Sequence, residues 1–155
     1  MTRIATEDVG LADPEALRVC LDSWNAFSNL GSPEGDLAVC QAVIYLALAP
    51  KSNASYLALK HSIKIVEDTD SFPPPAHLIN PKNSRMKNLG FGANYRYDHD
   101  YKDSYSGQSY FPDQLKKVNF YRPVERGFER EMKKRLSYFN SLRKELKKKE
   151  SKRND

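Results

Sequence analysis

Cysteine and long apolar runs are scarce in this sequence of 155 residues. Its two cysteines, Cys20 and Cys40, stand among apolar neighbours in helix-like segments, which favours buried thiols in a reducing compartment over a disulfide framework. No apolar run approaches the roughly 18 residues of a membrane span, and the first ten residues lack the apolar segment of a secretory signal. We therefore expect a cytoplasmic protein with no membrane partner.

Signatures of nucleotide binding and nucleophilic catalysis are also absent from the sequence. It contains no Gly-x-x-x-x-Gly-Lys-Ser/Thr phosphate loop, no Gly-x-Ser-x-Gly elbow, and only three histidines, His61, His77 and His99. A phosphate loop holds its nucleotide through backbone N–H groups, so ATP binding has no support within this chain. We expect the chain to hold no cofactor, no metal ion and no catalytic residue.

Positive charge is in excess and is concentrated near the C-terminus. The formal net charge is +5, the pI is about 9.1, and lysines and arginines cluster at 133–135 and 143–153. We expect these cations to lack matching acids, which favours an anionic partner such as a phosphate backbone. The candidate DNA contacts are Lys133, Lys134, Arg143, Lys147 and Lys148.

Three helices are predicted over residues 13–68 and form a three-helix core. Asp13-Pro14 provides an N-cap followed by proline at the first helical position. Apolar residues then recur at three- and four-residue spacing: Leu17, Leu21, Trp24, Phe27 and Leu30. Ser32-Pro33-Glu34 repeats the start signal, and the helix after it is apolar nearly all round until Pro50 ends it. We expect this second helix to be central and covered on several sides.

The third helix follows the segment Pro50, Lys51, Ser52, Asn53, in which Ser52 or Asn53 can act as its cap. Its apolar stripe is predicted to consist of Tyr56, Leu59, Ile63 and Val66. Residues 69–123 are rich in proline and tyrosine and are predicted to wrap the helices irregularly, with one short helix beginning near Ser84. A basic helix is predicted over 124–150, and the whole of 1–155 is read as one domain.

Residues 88–105 contain two short patterns that resemble active-site motifs. Gly90 and Gly92 match part of a dinucleotide fingerprint, but Tyr95 stands where the third glycine belongs, so a helix end and a tight turn are favoured. Asp98-His99-Asp100 resembles a metal site. In extended backbone, however, His99 points away from both carboxylates. We expect Tyr95, Tyr97 and Tyr101 to pack on the helices and the charged residues between them to face water.

Another interpretation of the same stretch is a site for single-stranded nucleic acid. Exposed aromatic rings beside cations bind bases by stacking and phosphates by charge. The required composition is present in Tyr95, Tyr97, Tyr101 and Tyr105, with Arg96 and Lys102. The neighbouring aspartates would repel phosphates, which weighs against this interpretation.

Ordered motifs along nearly the whole chain resemble the C-terminal region of the replication-associated recombination protein A family. These AAA+ ATPases are known in bacteria as RarA or MgsA and are related to the eukaryotic Werner helicase-interacting protein. The motifs are Glu7-Asp8-Val9-Gly10, Ala12-Asp13-Pro14, Gly31-Ser32-Pro33-Glu34-Gly35, Gln41 to Ala47, Ala49 to Ala54, His77-Leu78, Leu89-Gly90-Phe91-Gly92, Tyr95-Arg96-Tyr97, His99-Asp100, Tyr110-Phe111-Pro112, Phe120-Tyr121, Pro123, Arg126-Gly127 and Glu129. Asp98 departs from the family, where alanine is common, so the Asp-His-Asp triplet is no family site.

The resemblance implies an all-α domain similar to the collar domains of clamp loaders, through which family members assemble as tetramers. It implies that the full proteins use ATP with Mg²⁺, act at stalled replication forks, and bind DNA ends and single-strand-binding protein. The ATPase core and lid would be absent from this chain. We therefore expect an oligomerisation domain without catalytic residues. The alternatives are a basic DNA-binding module and, third, a metal-dependent enzyme. The shared pair His99-Asp100 is expected to fix the fold of its own segment.

Overall fold

The structure is a computed structural model that describes residues 1–115 and 117–154. Every regular element among these residues is helical and none is a strand, which confirms the predicted all-α fold class. The elements group into two compact units. One is formed by Met1–Asp68 with Asn119–Ser137, and the other by Thr69–Val118 with the chain from Tyr138 onward. The reading of 1–155 as a single domain stays a prediction.

Residues 1–68 of the first unit contain four helices and two short turns. Helix α1 (Thr2–Ile4) runs into a π-helical turn (Ala5–Val9) and a 3-10 turn (Gly10–Ala12). Three longer helices follow: α2 (Glu15–Leu30), α3 (Glu34–Leu48) and α4 (Ala54–Asp68). These three agree with the predicted helices, because caps and prolines mark their ends locally. The N-terminal turns were not predicted, since residues 1–12 are too few for an apolar period to be recognised.

Asp13 fixes the start of α2 and joins it to α3. One carboxylate oxygen accepts the N–H of Glu15 at 3.2 Å, and the other accepts the hydroxyl of Tyr45 at 2.6 Å. The hydrogen bond to Asp13, together with partial burial, raises the pKa of Tyr45 to about 12. The predicted cap at Asp13 is therefore confirmed, and it has a second partner that lies 32 residues further along the chain.

Mostly small residues form the core of the first unit. The buried cluster comprises Ala5, Val9, Ala16, Cys20 and Leu46. Helices α2 and α3 approach so closely that a Cβ atom on Gly35 would lie 2.9 Å from the Cα atom of Phe27. Close packing at this crossing requires the smallest residue, so Gly35 helps to set the distance between the two helices.

The apolar stripe predicted for α2 is not its buried face. Leu17, Leu21 and Trp24 are exposed, with 67% of Trp24 accessible. The buried residues of this helix are Ala16, Cys20 and Ser23. The period of the pattern was read correctly, but the face that the chain itself covers is the one with small side chains.

Helix α3 is covered mainly on one face, and the prediction that it would be covered on several sides is wrong. Its buried residues are Gly35, Ala42 and Leu46. On the opposite face Leu37, Ile44 and Leu48 are 71%, 55% and 81% exposed. These three positions are separated by seven and four residues, which places them in one row along the helix. We call this row the α3 face.

The remaining apolar predictions for the first unit were also partly wrong. The stripe of α4 exists as a pattern, but its members Tyr56, Leu59, Ile63 and Val66 are all exposed. Of the two thiols expected to be buried, Cys20 is buried and Cys40 is exposed on α3. Burial raises the pKa of the Cys20 thiol. Several apolar surfaces that the sequence pattern assigns to a core therefore face solvent in the single chain.

The second unit is largely irregular. Its short helix α5 (Ser84–Asn88) begins where predicted, capped by the Asn83 side chain, which accepts the N–H of Met86 at 2.9 Å. Gly90 follows with a φ of 85°, as expected for a glycine at a helix end. The long helix α6 (Glu129–Asn154) starts five residues later than the predicted 124 and contributes to both units. None of the described helices has the length and apolar character that a membrane crossing needs.

Candidate functional site

The segment around Asp98 is not extended, and the predicted alternation of its side chains is wrong. Asp98–Asp100 and Lys102–Ser104 form two 3-10 turns, and Asp103 adopts a left-handed φ of 59°. Tyr105 packs on α6, with its ring centre 5.1 Å from that of Phe139, but the tyrosines that were expected to pack are more open. Tyr95 and Tyr97 are each 53% exposed. The expected tyrosine row against a core is thus replaced by turns that leave these aromatic rings accessible.

The Asp98 side chain holds this segment together. One carboxylate oxygen accepts the backbone N–H of Ser106 at 2.8 Å, and the other accepts the hydroxyl of Tyr110 at 3.0 Å. Hydrogen bonds from the Ser106 side chain and backbone lower the pKa of Asp98, and the Tyr110 hydroxyl adds to this effect. His99 is exposed, with its ring 5.0 Å from that of Tyr97. Asp98 therefore supplies side-chain hydrogen bonds that fix this segment, and the fixing role expected of the His99-Asp100 pair stays a prediction.

The Ser106 amide is expected to report the ionisation of Asp98. Because the folded pKa is lowered, the carboxylate contributes stability above the pKa of an unfolded aspartate, and this contribution is lost as the pH falls through the folded value. We expect the Ser106 amide resonance to titrate with a midpoint below 3.8, the ordinary aspartate value. An NMR pH titration measures it. Asp98→Asn should abolish the transition and Asp100→Asn should keep it; a transition that survives Asp98→Asn would contradict the assignment.

The motif from Pro50 to Asn53 forms the junction between α3 and α4. The ammonium of Lys51 donates to the carbonyl oxygen of Ala49 at 2.8 Å and to that of Leu46, so it caps the C-terminal end of α3. The Ser52 hydroxyl accepts the N–H of Ala54 at 3.2 Å and thereby caps α4. These short polar contacts explain why the chain turns here.

Ser52 also reaches a buried carboxylate at the start of α6. Glu129 is fully buried and accepts hydrogen bonds from the Ser52 hydroxyl at 2.9 Å, the Tyr121 hydroxyl at 3.1 Å and the N–H of Val124 at 2.7 Å. Burial, and then the hydrogen bond to Glu129, raises the pKa of Tyr121. A carboxylate in the first turn of a helix is further favoured by the helix dipole. Glu129 therefore connects the start of α6 to the junction between α3 and α4.

Gly127 allows α6 to approach the N-terminal turns. Its φ is 50°, and a Cβ atom placed on it would lie 2.0 Å from the carbonyl oxygen of Ala12. The same carbonyl accepts the N–H of Phe128 at 2.8 Å. Only glycine fits this position without moving the backbone. The resemblance motifs Arg126-Gly127 and Glu129 thus lie at a packed and hydrogen-bonded junction of the first unit.

The candidate DNA contacts of α6 divide into two sets. Lys133 pairs with Glu125, and Lys134 pairs with Glu131 at 2.7 Å, so the expectation that these cations lack matching acids is wrong for both. Within the part of the chain that the structure describes, Lys147 and Lys148 have no ion pair. Arg143 donates to the side-chain oxygen of Asn140 at 3.1 Å, and its guanidinium lies 5.5 Å from the ring centre of Tyr105. The unmatched charge therefore lies in the second half of the helix.

Arg143 and Lys147 line a cleft within the second unit. This cleft has a volume of about 670 Å³ and is also lined by Lys117, Tyr110 and Leu146. We call it the Lys117 cleft. Partial burial lowers the pKa of Lys117, and the charges of Arg143 and Lys147 lower it further, as expected where three cations lie close together. Lys117 and Tyr110 were not among the predicted site residues, because nothing in the local sequence places them beside α6.

The described side chains provide no group of three or more His, Cys, Asp or Glu residues arranged to hold a metal ion. Asp98, His99 and Asp100 do not form such a group, because the carboxylate of Asp98 is turned toward Ser106 and Tyr110. The candidate functional surfaces in the described part of the chain are instead the α3 face in the first unit and the Lys117 cleft in the second.

Comparison with known proteins assigns this helical chain to the class of AAA+ ATPase C-terminal domains. A family model described as "MgsA AAA+ ATPase C terminal" matches residues 1–140. The chain therefore belongs to the family of MgsA AAA+ ATPase C-terminal domains, as the sequence motifs indicated.

Individual relatives agree with this assignment. Replication-associated recombination protein A of Coxiella burnetii is 42% identical over 155 residues, which are 99% of this chain and 35% of the relative. The protein of the same name from Haemophilus influenzae is 46% identical over 134 residues, 86% of this chain and 30% of the relative. ATPase WRNIP1 of Dictyostelium discoideum is 38% identical over 122 residues, 78% of this chain and 14% of the relative. The chain thus spans about a third of the bacterial relatives or less.

Proposed function

We propose that this chain is the oligomerisation domain of an AAA+ ATPase that acts in replication-fork maintenance, recombination and repair, and that it assembles as a tetramer. The observation that supports this proposal is the α3 face, on which Leu37, Ile44 and Leu48 are 55% to 81% exposed. The names of the bacterial relatives supply the biological setting, and ATP with Mg²⁺ belongs to the ATPase part of the parent protein.

The α3 face is unusual because its exposed apolar side chains form a continuous row, not because apolar residues are exposed at all. Single exposed leucines are common on protein surfaces, but a row of large apolar side chains along a helix is typical of an interaction surface. Covering one such side chain is worth about 1.5–3 kcal/mol. The stripe of α4 (Tyr56, Leu59, Ile63 and Val66) adds a second apolar surface to the same unit. A tetramer with dihedral symmetry uses more than one interface, and two surfaces supply them.

Assembly is tested on the chain as it stands. At micromolar concentration, light scattering coupled to size-exclusion chromatography is expected to give a mass four times the 17.8 kDa of the monomer. Because the interface is apolar, raising the salt concentration should leave this mass unchanged. A mass of one chain at all concentrations, in low and high salt, would contradict the proposal.

A second candidate function is contact with DNA through the C-terminal part of α6. It is supported by the cations Arg143, Lys147 and Lys148, which unlike Lys133 and Lys134 are not matched by acids among the described residues. Phosphate contacts release counterions, so binding of this kind weakens steeply as salt is added. DNA ends and single-strand-binding protein are the partners proposed for the whole parent protein.

A further inference from the structure

The Lys117 cleft carries much more positive than negative charge. Lys117, Arg143 and Lys147 line it, and Asp113 is the one carboxylate among the described lining residues. Arg143 and Lys147 are four residues apart on α6, so their Cβ atoms lie about 5–6 Å from each other on one side of the helix. Like charges held this close repel one another, and an anion placed among them relieves the repulsion.

The cleft also offers an aromatic ring whose position is fixed. The Tyr110 hydroxyl donates to Asp98 at 3.0 Å and accepts from the side-chain amide of Gln108 at 3.1 Å. Tyr110 is nevertheless 56% exposed. A ring that is held by its hydroxyl and accessible elsewhere needs little further ordering when a flat partner stacks on it.

Asp98 is a weaker obstacle to phosphate binding than the sequence suggests. It does not line the cleft, and its carboxylate is occupied by donors from Ser106 and Tyr110. Asp103, another acid of this stretch, lies near the Tyr138 hydroxyl and raises the pKa of that group. Of the acids that appeared to disfavour nucleic acid, Asp98 therefore acts as a hydrogen-bond acceptor within the second unit, whereas Asp100 and Asp103 are exposed and do not line the cleft.

We propose that the Lys117 cleft binds a single strand of nucleic acid, with backbone phosphates at Lys117, Arg143 and Lys147 and one base stacked on the ring of Tyr110. This inference deepens the second candidate function and rests on it. A single strand fits better than a duplex, because only an unpaired base presents its face to a ring. It also fits better than an acidic peptide, which satisfies the cations but leaves Tyr110 without a flat partner.

Fluorescence anisotropy of the purified chain with a labelled oligothymidylate tests the proposal. A duplex of equal length and an unlabelled acidic peptide serve as competitors. We expect the single strand to bind more tightly than the duplex. Lys147→Glu should weaken its binding about tenfold or more, and Lys147→Gln, which removes one phosphate contact without adding an acid, should reduce the slope of log K against log salt by about 0.7. Tyr110→Ala should weaken binding about tenfold, and Tyr110→Phe, which keeps the ring, should weaken it less.

Lys133→Glu is the matched control, because it makes the same charge change on the same helix outside the cleft, and circular dichroism verifies that each variant folds. Equal losses for Lys133→Glu and Lys147→Glu would overturn the cleft while leaving DNA contact by α6 in place. Preference for the duplex, or unchanged binding by Tyr110→Ala, would overturn the single-strand assignment. Displacement of the strand by the acidic peptide at lower concentration than by unlabelled strand would reassign the cleft to a protein partner. Absence of binding to either nucleic acid would remove the second candidate function as well.

Discussion

Replacing Leu37 and Leu48 together with glutamate is expected to convert the assembled chain into a folded monomer. Both side chains lie on the α3 face and are 71% and 81% exposed in the single chain. Each leucine covered by a partner is worth about 1.5–3 kcal/mol, and tenfold in affinity corresponds to about 1.4 kcal/mol. The double substitution should therefore weaken assembly at least about 100-fold, and the charge placed in an apolar interface adds to this loss.

Analytical ultracentrifugation over a range of concentrations measures the change. Because both leucines are largely exposed in the single chain, the helical circular dichroism of the variant should equal that of the parent chain. Thermal stability should become independent of protein concentration, since a monomer gains nothing from mass action.

Leu89→Glu provides the matched control. Leu89 is an apolar residue of the second unit and is 68% exposed, so the change in side chain and the degree of exposure are comparable. We expect this variant to assemble like the parent chain. If Leu37→Glu with Leu48→Glu kept the parent mass, or if Leu89→Glu dissociated the assembly equally well, the α3 face would not be the main interface.

The ends of the helices could be predicted from the sequence because their causes are local. Asp13 accepts an N–H two residues away, Asn83 accepts an N–H three residues away, and Lys51 reaches carbonyls within five residues. Contacts between residues so close in the sequence correspond to short capping patterns that can be recognised in the sequence itself. The all-α class and the positions of α2 to α5 followed from these signals together with the apolar period.

Burial and the site residues could not be predicted in the same way. The apolar row of α3 has the same period whether it faces the interior of its own chain or the surface of another, so the pattern could not distinguish the two. The hydrogen-bond partners of Asp98 lie 8 and 12 residues further along the chain, and the turns that bring them together were not predicted because the alternating sequence indicated extended backbone.

The acids that neutralise Lys133 and Lys134 are present in the sequence, but only the course of the chain before α6 brings Glu125 to Lys133. Glu129 and Ser52 are 77 residues apart, and their contact depends on the folded first unit.

Glu129→Ala is expected to cause the largest loss of stability of any single substitution considered for this chain. The change leaves the Ser52 hydroxyl, the Tyr121 hydroxyl and the N–H of Val124 without their common acceptor in a fully buried place. A buried donor left without a partner costs about 1–3 kcal/mol, so three of them predict a loss of about 3 kcal/mol or more. For a chain of this size, each kcal/mol lowers the melting temperature by about 2–4 °C, which predicts a decrease of about 10 °C.

Graded variants separate the role of the carboxylate from a general effect of mutating α6. Glu129→Gln keeps the volume and one acceptor oxygen, and the Tyr121 hydroxyl can accept from the new amide, so we expect a smaller loss than with alanine. Tyr121→Phe removes one of the three donors and should cost about 1 kcal/mol. Glu131→Ala, in the same helical turn but exposed and paired with Lys134 on the surface, should leave the melting temperature nearly unchanged. Equal melting temperatures for Glu129→Ala and Glu131→Ala, measured calorimetrically at one protein concentration, would show that the buried carboxylate does not hold α6 to the junction of α3 and α4.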